Sequence, residues 1–186
     1  RVLVAVREGE LPAASPVIVQ KVVKVNPAAP EPEVVSRAVE VLRRGGVLAV
    51  PTDSVYGLAC AATADNPAHR KIFSIKRRDL AQTLPWFVSG EDGLGRWGSD
   101  VPDYARDLAR RFWPGALTLV VMAGEKCPPE YVQPGSLGPD GLRGPATIAL
   151  RDPASKVVEA ILAELGEPLA QTSANLHGCP AATCAA

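Results

Sequence analysis

The chain has 186 residues, 47% hydrophobic and 22% charged, which suits one globular domain with a real core and excludes a disordered or fibrous chain. Its 20 basic residues balance 20 acidic ones, which argues against a dedicated nucleic-acid coat protein while allowing a local basic patch. No apolar run approaches the roughly 18–20 residues of a membrane span, and the short apolar opening, broken by Arg7 and Glu8, makes a poor signal peptide, so no membrane partner is expected.

Residues 1–16 carry no periodic pattern and read as an N-terminal extension of uncertain order. Val17–Val25 is β-branched and partly alternating, a strand. After a proline-rich turn, Glu33–Arg44 repeats Val34, Val35, Ala38, Val41 and Leu42 at helical spacing, and Gly45-Gly46 closes the helix. Val47–Val50 is a wholly apolar strand that stops at Pro51-Thr52-Asp53-Ser54. Asn66-Pro67 starts a helix with a capping side chain and a proline in the first turn, running to about Lys76. Its basic face carries His69, read as solvated. Trp86–Val88 is a short strand. Gly93-Leu94-Gly95-Arg96-Trp97-Gly98 matches G-x-G-x-x-G, but it is not joined to a strand end and no strand with a terminal acid follows, so it reads as a loop. Pro102–Phe112 is helical, and Phe112 with Trp113 reads as a core anchor. Leu117–Met122 is a strand. The Pro- and Gly-rich stretch from Ala123 to Pro145 is a long loop of the kind that covers sites. Thr147–Leu150 is a strand, Ser155–Leu165 a helix closed by Gly166, and Pro168–Gln171 a last strand. There is no internal repeat and no linker between two cores. The pattern predicts one mixed α/β domain.

Four cysteines (Cys60, Cys127, Cys179, Cys184) form no C-x-x-C pair and have only His69 and His177 to join them, so no metal site is expected from cysteines or histidines. The thiols read as free, in a reducing cytoplasmic compartment. Cys60 reads as a small core residue.

Three strands end in polar residues: Val50 into Pro51–Ser54, Leu150 into Arg151, and Gln171 into Thr172-Ser173-Ala174-Asn175. Such groups at strand ends suit phosphate, carboxylate or sugar oxygens, although each is also ordinary turn chemistry. Lys76-Arg77-Arg78 fits a solvated helix end or a polyphosphate clamp, lysine supplying a point charge and arginine a fork. No G-x-x-x-x-G-K-[ST] loop occurs, so ATP would have to bind by another architecture.

Several strings resemble one family. Gly45–Leu58, containing Pro51-Thr52-Asp53-Ser54-Val55-Tyr56-Gly57, resembles the opening signature of the YrdC-like threonylcarbamoyl-AMP synthases. Lys76-Arg77-Arg78 is similar to their K-x-R element and Trp113-Pro114-Gly115-Ala116-Leu117-Thr118 to their W-P-G-P-x-T element. Thr147–Arg151 is similar to their T-V-A-V-R strand and Thr172-Ser173-Ala174-Asn175 to their T-S-A-N element. The sequence departs from the pattern at Asp79, Thr83-Leu84, Phe87 and Ala116. The resemblance implies an open, twisted mixed sheet with flanking helices and a basic concave face, over a domain of residues 17–186 that lacks its usual C-terminal end. It implies synthesis of threonylcarbamoyl-adenylate from L-threonine, bicarbonate and ATP, with release of pyrophosphate, for threonylcarbamoyladenosine in tRNA. Lys76, Arg78, Ser173 and Asn175 would be the catalytic residues and would bind ATP together with Thr147. Thr52 and Arg151 would bind threonine. Mg²⁺ would accompany ATP, and a tRNA threonylcarbamoyl transferase would act downstream. Two other readings stay open at this point: a YrdC-like module that binds double-stranded RNA or tRNA without catalysis, and a paralogue using another carbamoyl or acyl substrate.

Overall fold

A computed structural model describes residues 2–8, 18–139, 141–175 and 180–183. Residues 1 and 9–16 of the expected extension and Val17 of the expected first strand, together with His177, Cys179 and Cys184, lie outside the described residues. Helix α1 (Pro32–Arg43) forms where Val35, Ala38, Val39 and Leu42 share one buried face. It ends in a glycine reversal: Gly45, at φ +69°, donates to the Leu42 carbonyl, and Gly46 donates to that of Val41 at 2.9 Å. Helix α2 (Pro67–Lys76) begins where the Asn66 side chain accepts the Ala68 N–H at 2.9 Å. It stops at Arg77, a non-glycine residue in the left-handed region at φ 51°.

The strands are β1 (Val2–Glu8), β2 (Ile18–Lys24), β3 (Val47–Val50), β4 (Gly57–Ala61), β5 (Trp86–Phe87), β6 (Gly98–Ser99), β7 (Leu119–Ala123), β8 (Thr147–Arg151) and β9 (Leu169–Ser173). They form one open mixed sheet in the order β2-β1-β3-β4-β9-β5-β8-β7-β6. Its pairings are antiparallel except for β5 with β8. One face packs against α2, α3 (Gly90–Trp97) and α4 (Asp103–Phe112) through Ile72, Phe73, Leu94, Trp97 and Ala109. The other packs against α1 and α5 (Lys156–Leu165) through Val39, Leu42, Val158 and Ile161. The fold is the expected single-domain α/β sheet with flanking helices.

Four local expectations are corrected, and one strand stands where no element was expected. Val2–Glu8, assigned by sequence to an extension, pairs with both β2 and β3; strand pairing is non-local, and a short apolar run shows no partner in its own sequence. Gly57–Ala61 is a central strand with every residue buried, and a strand buried on both faces has no alternation to read. Gly93–Gly98 is not a loop: α3 covers Gly90–Trp97, with Glu91 and Asp92 in its first turn and Arg96 in its last. Gly93 is there for packing, since a Cβ would lie 2.7 Å from Val88 Cβ. His69 is not solvated. It is 7% exposed, with its ring 5.0 Å from that of Phe73 and 4.7 Å from that of Tyr131, because the long loop folds back and lays Tyr131 over α2. Of the expected anchor pair only Trp113 is buried, while Phe112 is 48% exposed.

Candidate active site

The pleat sorts the polar residues. On β8, Ile148 and Leu150 enter the core beneath α2–α4, so Thr147, Ala149 and Arg151 lie on the opposite face, all half-buried. On β9, Ala170 packs into that same core, so Gln171 and Ser173 join Thr147 and Arg151 on the opposite face. Gly57 is paired directly with Ser173. One face of the sheet thus presents Thr147, Ala149 and Arg151 beside Gln171, Ser173 and Gly57.

Strand direction spreads these residues out. Trp86 is in register with both Leu150 and Ala170. Thr147 precedes Leu150 by three residues and Ser173 follows Ala170 by three, so the two reach the same end of the sheet. Arg151 lies at the level of Phe87 and Leu169, about 13 Å away along strands that rise ~3.3 Å per residue. The three polar strand ends do not meet at one edge: β3 and β9 run the same way and β8 runs opposite. The strand-end rule belongs to parallel sheets, and Arg151 joins this face by the pleat.

At the Ser173 end, Lys76 comes over from α2. The residue is 3% exposed. It donates to the Ser173 carbonyl at 2.6 Å, to Asn175 Oδ1 at 2.8 Å and to Ser173 Oγ at 3.3 Å, and Ser173 Oγ donates to Asn175 Oδ1 at 2.6 Å. Burial, and then the neighbouring Arg78 charge, hold the Lys76 pKa below the ordinary lysine value. No carboxylate of the described residues pairs with it. The left-handed turn at Arg77 sends Arg78 to the same corner, where Nη1 donates to Thr172 Oγ1 at 3.4 Å, Nε to Gln82 and Nη2 to the Thr83 carbonyl at 3.4 Å. Asp79, adjacent in sequence, turns its carboxylate to the Ala81 N–H at 2.9 Å. Two cations held on neutral oxygens make a corner suited to an anion with several oxygens.

On the same face of the sheet, Arg151 donates through Nε to the Gly115 carbonyl at 2.8 Å and through Nη2 to Asp53, which follows the end of β3. Its guanidinium carbon lies 5.9 Å from the centre of the Phe87 ring. Asp53 is presented by a turn that Thr52 builds: Thr52 Oγ1 donates to the Val55 carbonyl at 2.6 Å and accepts the Ser54 N–H at 3.1 Å. The Ser155 hydroxyl fastens the loop to the start of α5 through the Pro51 carbonyl at 2.8 Å. The structure thus brings Lys76, Ser173 and Asn175 into direct contact, with Arg78 beside them and Thr147 level with them. It places Thr52 and Arg151 as a second group around Asp53. Sequence reasoning missed Asp53, Gly115 and Gln171 as parts of the site. For Asp53 the usable signal was its place in the shared signature, next to Thr52.

The model of the Sua5/YciO/YrdC family, described as telomere recombination, matches residues 40–186. The chain belongs to the Sua5/YciO/YrdC family. Within it, this chain is 35% identical over 149 residues to the threonylcarbamoyl-AMP synthase of Bacillus subtilis (strain 168), across 80% of this chain and 40% of that protein. It is 36% identical over 145 residues to the threonylcarbamoyl-AMP synthase of Thiobacillus denitrificans (strain ATCC 25259 / T1), across 77% of this chain and 71% of that one. Among solved structures it is similar to P. abyssi Sua5 complexed with L-threonine, at a TM-score of 0.72 and 32% identity over 83% of this chain and 42% of that one. It is also similar to E. coli YciO, at 0.71 and 29% over 83% and 70%. The chain spans about 40% of the length of the Bacillus and P. abyssi relatives. Among the described residues of this Sua5/YciO/YrdC domain, no group of three or more His, Cys, Asp or Glu side chains converges, and no helix is long and apolar enough to cross a membrane.

Proposed function

We propose that this domain carries out the adenylate-forming step for which its relatives are named. L-threonine, bicarbonate and ATP would give threonylcarbamoyl-adenylate and pyrophosphate, a nucleotidyl transfer, in the cytoplasm. The observation that carries the reading is the buried Lys76 ammonium, held by Ser173 and Asn175 oxygens and flanked by Arg78, with no carboxylate partner among the described residues. A buried cation without a counter-ion is costly, and the polyphosphate of ATP supplies the missing charge. The similarity to a Sua5 structure complexed with L-threonine supports the amino acid, and the Arg151 group is the place for it.

The chemistry suits such a site. The amine of threonine adds to bicarbonate, losing water, to give a carbamate. One carbamate oxygen then attacks the α-phosphorus while the bond to pyrophosphate breaks. The carbamate is already an anion, so the attack needs no strong protein base. The protein's work is to position two ligands and to neutralise the departing pyrophosphate, the task assigned to Lys76 and Arg78, with Ser173, Asn175 and Thr147 orienting the nucleotide. Lys76, Ser173 and Asn175 offer no carboxylate cage, so the donor set fits a Mg²⁺ carried on the triphosphate, where it would offset phosphate charge. A compact, buried lysine site favours this reading over an RNA-holding module, whose contacts would be exposed cations along a backbone. The product would pass to a tRNA threonylcarbamoyl transferase.

The test is pyrophosphate release from ATP and Mg²⁺, with threonine and bicarbonate each omitted in turn and with serine in place of threonine. Release that needs both co-substrates and favours threonine is expected. Release without bicarbonate, or none at all alongside salt-sensitive RNA binding, overturns the reading.

A further inference from the structure

Arg151 and Lys76 are both cations on the candidate site, yet their surroundings differ. Lys76 is held only by neutral oxygens. Arg151 already has a counter-ion: Asp53, whose side chain is 18% exposed against 12% for Arg151. The guanidinium is held along one edge, Nε on the Gly115 carbonyl and Nη2 on Asp53 Oδ1. Nη1 of Arg151 and Oδ2 of Asp53 take no hydrogen bond among the described residues.

Both partners are fixed from outside the pair. Asp53 rides on the turn closed by the Thr52 hydroxyl and tied to Ser155. Gly115 donates its own N–H to the Asp152 carbonyl at 2.7 Å, next to Arg151 in the chain. The pair is net neutral and preorganised, and each member keeps one hydrogen-bonding position in hand. A lone arginine would select any carboxylate. A neutral acid–base pair selects a ligand that is itself neutral overall and carries both signs.

We infer that Asp53 and Arg151 together read the two ends of an α-amino-acid zwitterion, Asp53 accepting from the ammonium and Arg151 donating to the carboxylate. This rests on the proposed function for the identity of the ligand. It adds Asp53 as a specificity-determining residue, and it assigns Thr52 the work of positioning that carboxylate. The pair discriminates against carboxylates without an amine, because such ligands bring a second negative charge to a site that Asp53 already neutralises.

The test is calorimetric binding to the full chain with two probes, L-threonine and 3-hydroxybutanoate, which keeps the carboxylate and hydroxyl and lacks the amine. ATP binding is measured alongside. The unsubstituted protein is expected to prefer threonine. Asp53→Asn is expected to lose threonine affinity by about 10- to 100-fold, the weight of one charge-assisted hydrogen bond, while 3-hydroxybutanoate binding holds or improves and ATP binding is unchanged. Selectivity is a ratio within one protein, so partial unfolding does not mimic it, and Asp53→Ala repeats the measurement without an amide. An equal loss for both probes means that Asp53 only props the loop and overturns the inference, as does unchanged threonine binding in Asp53→Asn. If the unsubstituted protein turns over threonine while Asp53→Asn keeps its selectivity, this inference fails alone. If the unsubstituted protein binds no threonine, the proposed co-substrate fails with it.

Discussion

Replacing Lys76 by methionine separates the two roles a buried cation can have. Methionine keeps an unbranched stem and deletes the ammonium. Three contacts go, to the Ser173 carbonyl, Ser173 Oγ and Asn175 Oδ1. No acceptor is stranded by this: Asn175 Oδ1 keeps the Ser173 hydroxyl at 2.6 Å, and the Ser173 carbonyl keeps the Asn175 N–H at 3.0 Å. Burying the ammonium costs several kcal/mol, and an apolar replacement of similar volume at such a site is neutral or stabilising by about 1–4 kcal/mol. In a chain of this size each kcal/mol moves Tm by about 2–4 °C. Calorimetry should therefore show Tm unchanged or raised in Lys76→Met, while pyrophosphate release falls by about 10²–10³, as for loss of comparable electrostatic donors. The pH profile carries the same logic. The ammonium attracts phosphate fully below its folded pKa and loses that attraction as pH rises through it. Burial and Arg78 place this pKa below the ordinary lysine value of 10.5, so nucleotide affinity should fall earlier on the alkaline side than a solvated lysine allows. Lys76→Arg, if it binds, should lack the fall. A Tm several degrees lower in Lys76→Met, with activity falling only in proportion to the folded fraction, would make Lys76 structural and refute the assignment.

His69 is held below the ordinary histidine pKa of 6.5, first by burial, and its Nε2 has no hydrogen-bond partner among the described residues. The unfolded chain therefore takes up this proton first, and the stability present above pH 6.5 is lost as pH falls through the lower folded pKa. The urea midpoint should drop between pH 7.5 and 5, and His69→Phe should flatten that dependence and add about 1 kcal/mol at neutral pH by removing an unmet polar atom; an unchanged slope would show that another group controls it. Gly57 has room for a methyl, with Gln171 Oε1 and the Thr172 carbonyl each 3.5 Å from a Cβ and Thr52 Cγ2 at 3.9 Å. Gly57→Ala should keep Tm within a few degrees yet raise the KM of a substrate, because the methyl enters the polar face; unchanged kinetics would mean that the ligands do not lie over β4.

Helices were legible where two local signals coincided. At α2 the Asn66-Pro67 start and the apolar Ile72 and Phe73 led to a span that the structure reproduces. At α5 the Ser155 cap and the closing Gly166 did the same. Strands were legible where residues were β-branched, as in β3 and β8, and illegible in β4, whose Gly-Leu-Ala-Cys-Ala is small and buried throughout. Within the site, Lys76, Ser173 and Asn175 were legible as members because each belongs to a short string of unusual polar content. That the two strings share one site was implied by the family resemblance; their direct contact was not legible, since it depends on packing between residues almost a hundred positions apart. Asp53 was marked only by its place in the shared signature, and its pairing was illegible for the same reason, because Arg151 stands 98 residues away in the chain.

The reversal of β8 against β9 does more than displace a residue. Had the three polar strand ends met at one edge, Lys76, Arg78 and Arg151 would have shared a single corner, and any carboxylate recruited to stabilise them would have competed with an anionic ligand. Running β8 the other way sets the Arg151 backbone about 13 Å along the face from that of Thr147, and its guanidinium meets a carboxylate of its own, Asp53. Arg151 is neutralised by Asp53 without quenching Lys76, and Lys76 keeps a charge that phosphate can meet. Between Thr147 and Arg151, and beside Ser173, the face carries Ala149 and Gln171, one small and one neutral, both half-buried. The mixed sheet thus goes with separate partners for the two cations, neutral oxygens for Lys76 and a carboxylate for Arg151.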